Sequence, residues 1–171
     1  MTFTRLMPVL ALFAGTLTAG CLPDRDAVPP YYKSMARVDA TVDAASAAQM
    51  IGSYRQTRGL PPLTIDPALM RAARQQATAM AAAGTVRASL EGENRLAARM
   101  AAAGEPKTYA VENVSAGYRT LAEAFSGWRD SPAHDAVMRD AKATRMGIAT
   151  AYSSGSKHKV FWSLVLAAPA P

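Results

Sequence analysis

Apolar residues recur at helical spacing through the first half of the chain and at strand spacing near its end. Ala47, Met50, Ile51 and Tyr54 fall at i, i+3, i+4 and i+7, which predicts a helix over residues 45–58. Gly59 stops it, and Leu60-Pro61-Pro62-Leu63 must be extended. A second helix opens at Asp66-Pro67, a capping residue followed by proline in the first turn. Its stripe is Leu69, Ala73, Ala77 and Met80, read as core, and Gly84 ends it. Residues 85–93 are irregular. A short helix over residues 94–103 stops at Gly104.

The second half switches period. A strand is predicted over residues 109–116. Thr120-Leu121-Ala122-Glu123 has the form of a capping box, and Leu121, Ala124, Phe125 and Trp128 supply the apolar face behind it. Ser131-Pro132 restarts a helix, with Ser131 as cap. Met146, Ile148, Thr150 and Tyr152 alternate with small residues, and Ser153–Ser156 turns the chain. Residues 160–166 are almost continuously apolar, the mark of a central strand covered on both faces. The order predicts an α+β fold, with helices on both faces of a small, mostly antiparallel sheet.

The N-terminus reads differently. Arg5 precedes an apolar run from Met7 to Ala14, followed by small residues and then Cys21, the only cysteine among 171 residues. The run is too short for a membrane span and suits a cleavable signal over residues 1–20. Leu17-Thr18-Ala19-Gly20-Cys21 resembles a bacterial lipobox, with Cys21 the lipidation site and new N-terminus. Residues 21–44 are proline-containing and aperiodic, and are expected to be a tether to a domain over residues 45–168.

Charge adds one element. The formal net charge is +6, and residues 1–20 contain Arg5 and no acid, so the mature chain carries about +5. That favours an anionic envelope component as partner. Arg55, Arg58, Arg71, Arg74, Arg87, Arg95 and Arg99 are spread at helical intervals, on faces expected to be solvated. Without a dense basic run carrying interleaved aromatics, nucleic acid is not an expected partner. A lone cysteine also excludes an internal disulfide and a cysteine metal site.

The candidate chemistry is one carboxylate and one imidazole, Glu112 and His134. With only two histidines, His134 and His158, and zinc sites ordinarily using three or more protein ligands, the pair is an incomplete zinc site. The alternative is structural: Glu112 accepts a hydrogen bond from His134 across a cleft. No GxSxG elbow and no phosphate-cradling glycine loop occur, which argues against an enzyme.

The ordered motifs resemble the CAP superfamily (cysteine-rich secretory proteins, antigen 5 and plant pathogenesis-related proteins) in its bacterial SCP form. The similarity spans about residues 46–167. It rests on Ile51–Arg55 with Gly59-Leu60-Pro61-Pro62-Leu63, Arg99–Gly104, Glu112-Asn113-Val114 with Gly117, Trp128 with Ser131-Pro132 and His134, Gly147–Ala149, and Phe161–Val165. Gly52 and Ser115 stand where the family has Asn and Ala. The resemblance implies an α-β-α sandwich with a cleft flanked by Ala88, Ser89, Asn113 and Ser131. In bacterial members that cleft often carries two histidines and the strand glutamate. Here the upstream histidine is absent.

The expected function is that of a lipid-anchored envelope protein without enzymatic activity, at the outer membrane facing the periplasm. It would bind a lipid or other small hydrophobic ligand, or an anionic envelope component. Two alternatives are a metal-assisted envelope hydrolase using Glu112 and His134, and a purely structural envelope protein.

Overall fold

The computed structural model of the protein describes residues 28–169. Five helices and four strands follow in the order α1 (Ala44–Gln56), β1 (Thr64–Ile65), α2 (Pro67–Ala83), α3 (Leu96–Ala102), β2 (Ala110–Ala116), α4 (Leu121–Asp130), α5 (Pro132–Met138), β3 (Arg145–Tyr152) and β4 (Val160–Ala167). Short 3₁₀ turns lie at Pro30–Tyr32, Val86–Leu90 and Gly92–Asn94.

The sheet order is β1-β3-β4-β2. β3 pairs antiparallel with β4, and β4 with β2, while the two-residue β1 runs parallel to β3. Every residue of β4 is buried, as a strand flanked and covered on both sides requires. Alternation sorts its side chains. Trp162, Leu164 and Leu166 pack with Ile51 of α1, Leu121 and Trp128 of α4 and Met138 of α5. Val165 and Ala167 pack with Leu69, Ala73 and Ala77 of α2 and Met100 of α3, and Phe161 packs with Met80. The result is the α-β-α sandwich: α1, α4 and α5 on one face, α2 and α3 on the other.

Local chemistry sets the element ends. The Ala68 and Leu69 amides donate to Asp66 Oδ1 at 2.7 and 3.1 Å, starting α2. Glu123 N donates to Thr120 Oγ1 at 3.2 Å, and Arg119 N to Glu123 Oε2 at 2.6 Å, so the capping box forms around α4. Ser131 occupies the cap position of α5 but makes no side-chain capping bond.

Small residues let α2 lie directly on the sheet. A Cβ on Gly147 of β3 would fall 2.1 Å from the Leu69 carbonyl carbon, inside any contact distance.

Two arginines expected on solvated faces are fully buried, Arg55 and Arg99. Arg55 donates to four backbone carbonyls at 2.9 Å: Pro61, Met138, Asp140 and Ala143. A guanidinium has five fixed N–H donors, so burial becomes tolerable where carbonyls converge on its fork. Desolvation still lowers its pKa from the ordinary value, with Asp140 working the other way.

The expected tether also differs. Its residues 21–27, like Cys21 and the signal over residues 1–20, lie outside the described residues. From Met35 onward the segment is docked: Met35 and Val42 are buried in the core, and Met35 N donates to Arg119 O at 2.7 Å. Met35 and Val42 are isolated apolar residues among polar ones and carry no periodicity, so their burial left no pattern to read.

Candidate functional site

Strand β2 organises the site because its two faces look into different layers. Glu112 pairs in register with Val165, which packs under α2, and Asn113 with Leu164, which packs against α4 and α5. Consecutive strand residues point to opposite faces. Glu112 therefore belongs to the α2/α3 side, and Asn113 and Ser115 to the α4/α5 side.

On its side, Glu112 forms an ion pair with Arg99 of α3. Arg99 also donates to Asn94 O at 2.8 Å and Ala72 O at 3.1 Å, so its guanidinium is fixed in place. Burial raises the Glu112 pKa above its ordinary value, and the charge and hydrogen bond of Arg99 only partly oppose this. On the other side, Asn113 Nδ2 donates to the backbone carbonyl of His134 at 2.9 Å, and Trp128 Nε1 to Ser115 Oγ at 3.0 Å. Trp128 meets Trp162 edge to face, with centroids 6.1 Å apart.

The expected hydrogen bond from His134 to Glu112 is not formed. The carboxylate turns to Arg99, and the β2 contact to His134 runs through Asn113 and the main chain. Nor do Glu112 and His134 fit one metal ion. A dication on Glu112 would sit against a buried, immobile guanidinium, and like charges in a poorly solvated site repel strongly. Among the described residues no three of His, Cys, Asp and Glu converge.

The flanks also shift. Ala88 and Ser89 are buried in the 3₁₀ turn, Ala88 among Met80, Ala81 and Phe161. A pocket of about 260 Å³ beside β2 is lined instead by Thr85 and Val86, Ser115 and Ala116, and both His134 and His158. Asn113 holds the first turn of α5 to the strand, and Ser131 stays outside the lining.

A larger, open groove of about 640 Å³ runs along the outer face of α2. Arg71, Arg74, Gln75 and Thr78 stand at i, i+3, i+4 and i+7, one helical stripe, with Glu93 and Asn94 opposite. Among the described residues neither Arg71 nor Arg74 is in a salt bridge. The sequence displays the arginines, but not that these two share a groove.

A four-stranded sheet clamped between helical layers, with a glutamate–asparagine strand facing a Ser-Pro-x-His helix start, defines a CAP/SCP-type sandwich domain. The chain belongs to the cysteine-rich secretory protein family (CAP), matched over residues 48–166. An outer surface protein from Borrelia burgdorferi is similar in fold, with a TM-score of 0.64 and 16% identity over 75% of this chain and 97% of that one. An extracellular protein containing a SCP domain from Bacillus anthracis gives a TM-score of 0.62 and 18% identity, over 73% of this chain and 40% of the other. A cysteine-rich secretory protein from Staphylococcus aureus gives 0.56 and 18%, over 73% and 38%. No curated protein is significantly similar in sequence.

Proposed function

We propose that the chain is a CAP-domain lipoprotein of the cell envelope that binds an anionic envelope component along the outer face of α2. The observation that carries this is the open groove lined by Arg71 and Arg74, neither of which is in a salt bridge among the described residues. Planar guanidinium forks suit phosphate and carboxylate groups, and a net positive chain draws such a partner in. The names of its structural neighbours, an outer surface protein and an extracellular protein, are in keeping with that location.

A hydrophobic ligand has less to recommend it. The pockets beside β2 and beside α3, of about 260 and about 290 Å³, lie only at the lower edge of the roughly 300–1,000 Å³ usual for drug-sized ligands. A metal-assisted hydrolase loses its carboxylate to Arg99.

The anchor is tested by mass spectrometry of the mature N-terminus, which should show acylated Cys21; an unmodified cysteine would remove it. The groove is tested separately with a Cys21→Ser chain, using co-sedimentation with phosphatidylglycerol vesicles, phosphatidylcholine vesicles and purified sacculi. Binding to an anionic surface should weaken as salt rises and be lost in Arg71→Glu/Arg74→Glu. Equal binding to neutral vesicles, or indifference to the double reversal, would overturn it.

A further inference from the structure

Exposed apolar surface gathers in one short segment. Among the described residues seven large hydrophobic side chains are exposed, and four of them, Val28, Tyr31, Tyr32 and Val38, fall within residues 28–38. The other three, Ile65, Leu90 and Tyr109, are scattered over separate parts of the fold. The same stretch carries Lys33 and Arg37, both exposed, and no acid. It is also held in shape. Pro29 and Pro30 set the 3₁₀ turn Pro30–Tyr32, in which Tyr32 N donates to Pro29 O at 2.9 Å. The two tyrosine rings meet edge to face at 4.7 Å. Tyr31 lies beside Ser46, Gln49, Met50 and Ser53 of α1, and the turn packs against α1 and α4. Just beyond it, buried Met35 ties the segment to Arg119 O.

We propose that residues 28–38 are a foot by which the domain rests on the lipid bilayer that holds its own acyl anchor. Tyrosine has an apolar body and a polar tip, which suits it to the headgroup level of a membrane. Lys33 and Arg37 supply the charge that anionic lipid attracts. Chain length puts the foot in reach. Val28 is seven residues past Cys21, and at about 3.3–3.6 Å per residue it stays within about 25 Å of the acylated thiol. Tethering turns docking into an intramolecular event, so contacts too weak to hold a free chain suffice for an anchored one. Vesicle binding by the unanchored chain therefore still reports the α2 groove. The foot lies in the α1/α4 layer, across the sheet from α2, so a domain standing on it leaves the arginine groove to a partner other than its own membrane. This inference rests on the Cys21 anchor proposed above; mass spectrometry tests the anchor, and a chemically anchored chain tests the foot.

The chain from Cys21 onward is coupled through that sole thiol to a maleimide lipid in phosphatidylcholine/phosphatidylglycerol vesicles, or to a soluble maleimide as reference. Hydroxyl-radical footprinting with mass spectrometry then reads each side chain. On vesicles, oxidation of Tyr31 and Tyr32 should fall by about threefold or more, while Tyr109, exposed elsewhere, keeps its reference value. Val28 should be protected as well, and Tyr31→Ser/Tyr32→Ser should abolish that protection. Both tyrosines are exposed, so this variant is expected to fold. Arg71→Glu/Arg74→Glu should leave the footprint unchanged. Equal oxidation of the tyrosines in the two states overturns the foot, as does protection shared by Tyr109, which is general shadowing by the vesicle. Val28 protection that survives the double serine variant, or a footprint lost in the arginine reversal, also overturns it.

Discussion

Arg99 and Glu112 are joined by an ion pair in which the guanidinium has no exposed surface and the carboxylate is 16% exposed. Such a pair is sensitive to one-sided loss, since removing one partner strands a desolvated charge. Arg99→Met should cost about 3–5 kcal/mol of stability. Arg99→Met/Glu112→Gln should recover part of that, because no unpaired ion remains. Urea denaturation of the single and double variants checks this. Equal losses in the two would mean that the stranded carboxylate is not the cause.

Arg145 clamps two acids at the end of the sheet. Its Nη1 lies 2.8 Å from Asp66 Oδ2, and it spans Glu105 at 2.7 and 2.6 Å. For Asp66, burial pushes the pKa up, but the bonds from Arg145, Leu69 and Ala68 outweigh it and hold the group below its ordinary 3.8. Glu105 is held below its ordinary 4.5, chiefly by Arg145. Folded pKa values below the unfolded ones mean stabilisation that is present above about pH 4.5 and lost as pH falls through the folded values. The stability–pH curve should fall on its acid side, and Arg145→Met should flatten that fall. An unchanged acid limb in the variant would refute the assignment.

Met35 fastens the segment ahead of α1. Met35→Ala should cost about 2–5 kcal/mol, toward the lower end because the site lies near the domain edge. It should also expose residues 33–43 to limited proteolysis under native conditions. A cleavage pattern matching that of the parent chain would show that Val42 alone holds the segment.

Gly147→Ala tests the contact between α2 and the sheet. Overpacking usually costs about 1–3 kcal/mol, and here the obstruction is main chain, which cannot rotate away, so the loss should reach or exceed that range. Gly155→Ala is the control: nothing lies within 4 Å of its Cβ position. Thermal melts should separate the two clearly.

Much of this architecture follows from local chemistry that a sequence displays. Asp66-Pro67, the Thr120–Glu123 box and the apolar run of β4 each act within a few residues, and each forms as expected. β1 is invisible in the sequence because two residues carry no period. The buried arginines escape a reading by charge, because charge states ionisation, not exposure. A signal does exist for one of them: Ala47, Ile51 and Arg55 stand at i, i+4 and i+8, so Arg55 continues the buried stripe of α1. Glu112 and His134 look like partners in the sequence because both carry chemistry. Their layers are set by strand alternation and helix docking, and only the assembled sheet shows which face each one meets. His158, 24 residues beyond His134, joins the pocket only through the closing hairpin.

The Arg55 contacts have an evolutionary corollary. Its four acceptors are all main-chain oxygens, and every amino acid offers one. The loop over residues 139–143 can therefore change in composition while keeping its grip on α1, except at Asp140, whose Oδ1 accepts from the Lys142 and Ala143 amides at 2.9 and 3.2 Å, and at the fully buried Ala143. What it cannot tolerate is a change in length: one inserted or deleted residue would move the carbonyls off the guanidinium fork and leave a charge stranded at the centre of the domain.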